Sequence, residues 1–326
     1  MNAENLNENI LQKLTELEQK YSLTGQNLID NLEGLLYSHY LKYWDYIRLD
    51  TLLSLQSPRT DFPDEMVFII YHQITELYFK LILWEIEQIT QQYTQKKLQK
   101  ATFEEKIQRI IRYFKHLSAS FDLMTEGMEV EQFRKFRMAL LPASGFQSVQ
   151  FRMIEICLTD FIHLVNSSAQ SLFNEETGIS AMMPFVYWKQ GATETTTQKE
   201  TITSQYFQEK YGAMLLQLAQ EYKPKNIWKI YQKQFQAQDD GTMAQLLRKL
   251  DYEINIQWRM AHLKSAAKYL QRDNQVIKAT GGTNWQKYLP PRFQKRIFFP
   301  ALWSEAERNA WGEAHFKEVA ILEKLA

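Results

Sequence analysis

A single cysteine, Cys157, stands among 326 residues, with only 11 glycines and 8 prolines. One thiol cannot close a disulfide within the chain, which excludes a cross-linked secreted scaffold, and it supplies no Cys-x-x-Cys metal or redox pair. So few turn formers leave little punctuation for an all-β fold built from short hairpins. A Gly-rich phosphate loop and a His-Glu-x-x-His zinc helix are both missing. Charge of one sign is missing as well, because 38 Lys plus Arg balance 38 Asp plus Glu. A nucleic-acid or membrane-surface binder would need a basic excess or a basic face, so neither partner is expected. No apolar run reaches the roughly 18 residues of a membrane span, and no cationic-then-apolar leader is seen, so the expected compartment is the cytoplasm.

What is present is apolar and aromatic: 45% hydrophobic residues, with 19 Phe, 17 Tyr and 8 Trp. The apolar residues recur at spacings of three and four, and the expected fold class is all-α. A single domain over residues 1–326 is expected. The segment Asp64 to Tyr93 follows Pro63 with acids in its first turn, and Val67, Phe68, Ile70, Ile74, Leu77, Leu81 and Trp84 leave it little polar face. Such a helix is expected inside a core. "EVEQFRKFRMALL" runs to Pro142, and the next helix is expected to start at a Ser144 cap. From 166 to 204 the periodicity fails, and the Thr-rich "GATETTTQKETITSQ" reads as a surface loop or flap. A last long helical pattern ends near Gln271.

Candidate chemistry concentrates on few side chains. Cys157 falls on an apolar stripe and reads as an inert buried thiol. His72 lies one turn after Phe68 and one turn before Glu76 in the most apolar helix, where desolvation favours the neutral imidazole. A core histidine bonded to a nearby carbonyl explains that placement as well as a functional one. His262 shares a stripe with Leu250, Ile254, Trp258, Ser265 and Tyr269, and an axial haem ligand or a core histidine both fit. His39, His116, His163 and His315 read as surface or rim residues. Arg137 sits among Phe133, Phe136, Leu140 and Leu141, and a guanidinium there needs an anionic partner. An internal salt bridge and a bidentate clamp on a substrate carboxylate are the two readings.

Taken together, four ordered stretches resemble the tryptophan 2,3-dioxygenase family of haem enzymes. "YWDYIRLDTLLSLQ" (43–56) is similar to its Tyr-x-x-Tyr-Leu-x-Leu-Asp segment, and "DEMVFIIYHQITELYFKLILWE" (64–85) to its Phe-Ile-Ile-x-His-Gln helix. "FRMALLPASGFQSVQFR" (136–152) matches the family's Phe-Arg-x-x-Leu-x-Pro-Ala-Ser-Gly-Phe-Gln-Ser-x-Gln-Phe-Arg almost throughout. "WRMAH" and "TGGTNWQKYL" resemble its proximal helix and substrate loop. Within that last block Lys268 stands where the family has Arg followed by Met, the run to the loop is about four residues longer, and Ala279 and Thr283 replace Gly and Ser.

The resemblance implies a helical homotetramer that binds haem b and uses O₂ as co-substrate. His262 would be the axial ligand of the haem iron, with Trp258, Ser144 and Gly145 against the haem. His72 would accept the indole N–H of L-tryptophan or a related indole amino acid, and Phe68 and Phe133 would wall the pocket. Arg137 would clamp the α-carboxylate and Thr280 the α-ammonium. Tyr43, Tyr46 and Ile47 would reach into a neighbouring subunit's pocket, and the helices of 1–42 would lie at a subunit interface. The implied reaction inserts both oxygen atoms across the indole C2=C3 bond to give N-formyl-L-kynurenine. A haem monooxygenase acting on a substituted indole or other aromatic amino acid, and a non-catalytic haem or tryptophan sensor, are the alternatives.

Overall fold

The computed structural model describes residues 8–38, 42–140, 147–190, 201–272, 275–276 and 290–313. Ser144, Gly145, Ala279, Thr280, Thr283, His39, His315 and the Thr-rich stretch 191–200 lie outside the described residues. The chain groups into two compact units, residues 1–56 and residues 57–326.

In the first unit, α1 (Glu8–Ser22) and α2 (Leu28–Tyr37) are joined through Gly25, whose φ of +70° suits a residue without a side chain. The Asn27 side chain caps α2 by accepting from the amide of Ile29 at 2.8 Å. The aromatic stretch 43–53 forms two short helices, α3 (Tyr43–Tyr46) and α4 (Leu49–Leu53). Arg48 separates them with a left-handed backbone at φ 54°, which no α-helix accommodates. Tyr43 and Tyr46 are exposed and Ile47 is half-buried. None of these four helices buries a residue.

The second unit is organised on α5 (Asp64–Thr94), which packs on α6 (Lys100–Ser120) and, after α7 (Asp122–Thr125) and α8 (Val130–Phe136), on α9 (Val149–Leu158). At the entry to α5 the buried carboxylate of Glu65 accepts the backbone N–H groups of Arg59 and Thr60, both at 2.8 Å, and the Thr60 hydroxyl. Ile82, Ile86 and Ile89 of α5 are buried with Ile107, Ile110 and Phe114 of α6 in one core. Phe79 is its hub: its ring lies 6.5 Å from Phe114, 5.4 Å from Phe151 and 6.0 Å from Trp258. Glu85 is buried in an ion pair with Lys106 at 2.8 Å, so this helix carries paired charge inside the helical body.

α5 departs from expectation on one side. Met66, Ile70, Ile74, Leu77, Leu81 and Trp84 are exposed along a stripe at spacings of three and four. The helix has more apolar surface than the neighbouring helices of one chain cover. α9 also starts later than expected: Ser148 caps it, its side chain accepting from the Phe151 amide.

Residues 166–190 are more ordered than a surface loop. They form single helical turns, among them α10 (Ile179–Met182) and α11 (Tyr187–Gln190), and bury Ala169, Ile179, Met182, Val186, Tyr187 and Trp188. Turns this short leave no helical period in the sequence, because each element is over before the apolar stripe repeats. Beyond them come α12 (Ile202–Tyr222), α13 (Ile227–Ile230), α14 (Thr242–Tyr252), α15 (Arg259–Leu270) and α16 (Glu305–Asn309). A π-helical segment, Glu253–Trp258, joins α14 to α15. Asp251, fully buried, accepts from the amides of Phe298 and Phe299 and from the Trp303 indole, which fixes the tail against α14. The fold class is all-α; among the described residues the extended structure is a two-residue antiparallel pair, 271–272 with 275–276, and one isolated bridge, Val165 with Val186.

Candidate functional site

α5 delivers His72 one turn after Phe68, and that spacing lets the imidazole reach back to the helix backbone. Its Nδ1 lies 2.7 Å from the carbonyl oxygen of Phe68. A carbonyl only accepts, so Nδ1 carries the proton and donates. Burial pulls the imidazole pKa below its usual value, against the raising effects of the Phe68 carbonyl and Glu76. His72 is therefore neutral near pH 7, with the Nε2 lone pair left as an acceptor. Gln150 of α9 holds this part of α5 in place, donating to the Glu76 carbonyl at 2.9 Å and its carboxylate at 2.8 Å.

The walls around His72 are aromatic. The Phe68 ring sits 4.1 Å from the imidazole, 6.0 Å from Phe133 and 5.7 Å from Phe136. Arg137 follows Phe136 at the start of a 3₁₀ turn, Arg137–Leu140, and is buried with 6% of its surface exposed. Burial first, and the neighbouring Arg134 second, lower its pKa. A planar donor fork in an electropositive, dehydrated setting is suited to a carboxylate.

His262 comes from the other end of the unit, on α15 directly after the π-helical segment that ends in Trp258. π-Turns of this kind recur at functional sites because they displace the following side chain from the regular helical path. Two rings separate the imidazoles: His72 lies 5.3 Å from Tyr71, Tyr71 5.5 Å from Phe121, and Phe121 5.6 Å from His262, stacked. Trp258 touches the same Phe121 at 4.8 Å. His262 is solvent-exposed although its neighbours Met260 and Leu263 are buried, yet desolvation by the protein groups crowded around its ring, with His72 and Arg259 nearby, takes its pKa down to about 4. Two neutral imidazoles thus lie within electrostatic reach of each other.

A buried charge cluster stands beside this pair, and sequence reasoning missed it. Arg152 donates to Glu155 at 2.6 Å, Tyr187 donates to the same carboxylate at 2.7 Å, and Arg296 donates to it as well. Arg259, one turn before His262, donates to the Gln294 carbonyl at 3.0 Å. Burial lowers Arg259 and Arg296 to about 10, with Glu155 opposing. These bonds tie α9 and α15 to the tail, which orients the helix that carries His262. The signal in sequence was the Arg152–Glu155 spacing of three, common to many surface helices and therefore silent about burial.

The expected residues divide clearly. Phe68, His72, Phe133, Trp258 and His262 meet in one aromatic region, and Arg137 adjoins Phe136 at its edge. Tyr43, Tyr46 and Ile47 belong to the first unit. His163 is half-buried with its pKa lowered by burial, and His116 is exposed beside Tyr78.

Fold and site together describe an all-α protein in which two neutral imidazoles stand in a region walled by aromatic rings. The model of the family "Tryptophan 2,3-dioxygenase" matches residues 33–184. A tryptophan 2,3-dioxygenase of Bacillus thuringiensis subsp. konkukian is 28% identical over 277 residues, covering 81% of this chain and 91% of its own. One from Herpetosiphon aurantiacus is 42% identical over 123 residues, 37% of this chain and 46% of its own, and one from Polaromonas naphthalenivorans is 26% identical over 283 residues, 82% and 91%. The chain is thus similar to tryptophan 2,3-dioxygenases along most of its length.

Proposed function

We infer that the protein is a haem-dependent dioxygenase that converts L-tryptophan to N-formyl-L-kynurenine, both atoms of O₂ entering across the indole C2=C3 bond. The observation that carries the reading is His72: a neutral imidazole with Nδ1–H committed to the Phe68 carbonyl, in a chain similar along most of its length to proteins named for this reaction.

The residues present fit a haem. The iron would take a neutral imidazole and apolar walls from the protein, and His262 supplies a neutral imidazole beside Phe121, which in turn meets Trp258. His262 would hold the iron, with Trp258, Ser144 and Gly145 against the macrocycle. The haem, when bound, supplies the O₂ chemistry.

The chain's own part is orientation and dryness. Nε2 of His72 accepts the indole N–H and keeps the ring in one orientation without removing its proton. Phe68 and Phe133 exclude water from the indole faces. Arg137 clamps the α-carboxylate through its fork, and Thr280 meets the α-ammonium. An indole without N–H, or an amine without carboxylate, leaves one of these groups buried and unpaired, which is the physical basis of selection.

The reading includes a homotetramer in the cytoplasm. The exposed stripe of α5 and the first unit, with Ile10, Leu11, Leu32, Leu35 and Leu36 exposed, support self-association. Tyr43, Tyr46 and Ile47 would complete a neighbouring subunit's pocket. The lone buried Cys157, its pKa raised by burial, suits a reducing compartment.

The test is one experiment. Ferrous protein prepared without oxygen receives an O₂ pulse with L-tryptophan, and the product mass is read. A product heavier by two oxygen atoms is expected. One added oxygen atom points to a monooxygenase, and tryptophan bound but recovered unchanged points to a sensor.

A further inference from the structure

Tyr269 has no role in the site described so far, yet it closes a chain of contacts that ends at His72. It lies on α15 seven residues beyond His262 and is 1% exposed. Residues seven apart share a helix face, so the helix that presents His262 presents this phenol on the same side. Its hydroxyl donates to the carbonyl oxygens of Met124 and of Met128, the second at 3.2 Å. Burial, with Asp64 and Glu126 nearby, raises the phenol to about 12, so it stays a donor at any physiological pH. Arg134 Nε donates to the Tyr269 carbonyl at 3.1 Å, and Lys268 donates to the Thr125 carbonyl. The end of α15 is thereby stapled to the α7–α8 turn.

The Tyr269 ring then meets Phe133, with centroids 4.6 Å apart, and Phe133 meets Phe68, which meets His72 at 4.1 Å. Phe133 therefore has a rigid ring behind it, held through its hydroxyl and its backbone. A methionine, which follows the basic residue in the family pattern given above, would offer a flexible and yielding back instead.

We propose that Tyr269 is a specificity-determining positioning residue: its anchored ring braces Phe133 against the substrate indole and limits the size of ring that fits between Phe133, Phe68 and His72. The inference rests on the functional reading, since it takes Phe133 as a wall of the tryptophan pocket. A wall that cannot retreat rejects an added methyl group, and one methyl in an apolar pocket changes kcat/KM by about 10-fold or more.

The test compares the haem-loaded wild type with Tyr269→Met, Tyr269→Phe and Phe133→Leu, on L-tryptophan and on tryptophans methylated at indole positions 5, 6 and 7. The readout is the kcat/KM of each analogue divided by that of L-tryptophan. Tyr269→Met is expected to raise this ratio about tenfold for at least one analogue, because the wall can now yield. Tyr269→Phe keeps the ring and its backbone anchor but loses the hydroxyl's bonds, and is expected to raise the ratio less than Tyr269→Met does. Phe133→Leu removes the braced residue itself and is expected to relax the same analogue, which keeps the proposal testable should Tyr269→Met not fold. Unchanged ratios in a folded Tyr269→Met or in Phe133→Leu overturn the proposal, as does a Tyr269→Phe that relaxes selection as much as Met. A wild type that leaves L-tryptophan unchanged overturns the functional reading, and this inference with it.

Discussion

The Nδ1 atom of His72 lies 2.7 Å from the carbonyl oxygen of Phe68, the residue one turn earlier whose tilted ring also lies 4.1 Å from the imidazole. One short contact fixes the tautomer, the ring orientation and the wall. Because the carbonyl accepts only a proton donor, Nε2 is left as the acceptor for an indole N–H.

Replacing His72 by Ala should therefore leave haem content intact and lower kcat/KM for L-tryptophan by about 100-fold. The Soret absorbance per chain and steady-state rates, measured on one preparation, check both halves. A variant with full activity would remove His72 from the mechanism.

His262→Ala should lose stable haem while keeping its helical circular dichroism, because the imidazole is the group proposed to hold the iron and this exposed side chain lies outside the buried core. Haem incorporation equal to wild type, read from the Soret band after gel filtration, would sink the ligand assignment.

Arg137→Leu removes the buried fork and should lower kcat/KM for L-tryptophan by about 100- to 1,000-fold, the range for breaking a buried charged pair. Tryptamine, which has no carboxylate, should lose little. Arg137→Lys keeps the charge without the planar fork and should recover only part of the loss. Equal losses for both substrates would mean that Arg137 serves the fold alone.

Glu65 predicts an acid-sensitive entry to α5. Burial raises its pKa, but the bonds from Arg59 N, Thr60 Oγ1 and Thr60 N outweigh burial, and the net shift is downward. A carboxyl with a folded pKa below its unfolded value stabilises the fold above the unfolded value of 4.5 and loses that contribution as pH falls through the folded value. Glu65→Gln should thus lower stability at neutral pH by about 2 kcal/mol, the scale of hydrogen bonds to a charged group. Its thermal midpoint should also fall less steeply than that of wild type below about pH 4.5. Parallel midpoint curves from about pH 7 to pH 3 would refute the assignment.

Much of this was open to reading from the sequence, for a physical reason. α5, α6, α12 and the helices around His262 are long enough for the apolar period to repeat, so the helices could be read directly. His72 and Arg137 carried their own signals as polar groups in apolar surroundings, whereas Phe68 and Phe133 were singled out only by the family resemblance. The turns of 166–190 gave none, since elements of three or four residues have no period to detect. The exposed stripe of α5 was legible as apolar but not as uncovered, because burial depends on how many neighbours arrive.

The sequence by itself determined the all-α class and the lack of an intrachain disulfide, which follow from composition and local spacing, one-dimensional properties. The set of side chains expected at the site came from the resemblance of four ordered stretches to a known family, since spacing alone left each of them open. Only the tertiary structure decided the tautomer of His72, the two rings that separate it from His262, the burial of Arg152, Arg259 and Arg296 around Glu155, and the seat of Tyr269 behind Phe133. Those relationships join residues far apart in the chain or depend on desolvation, and both come into being when the helices pack.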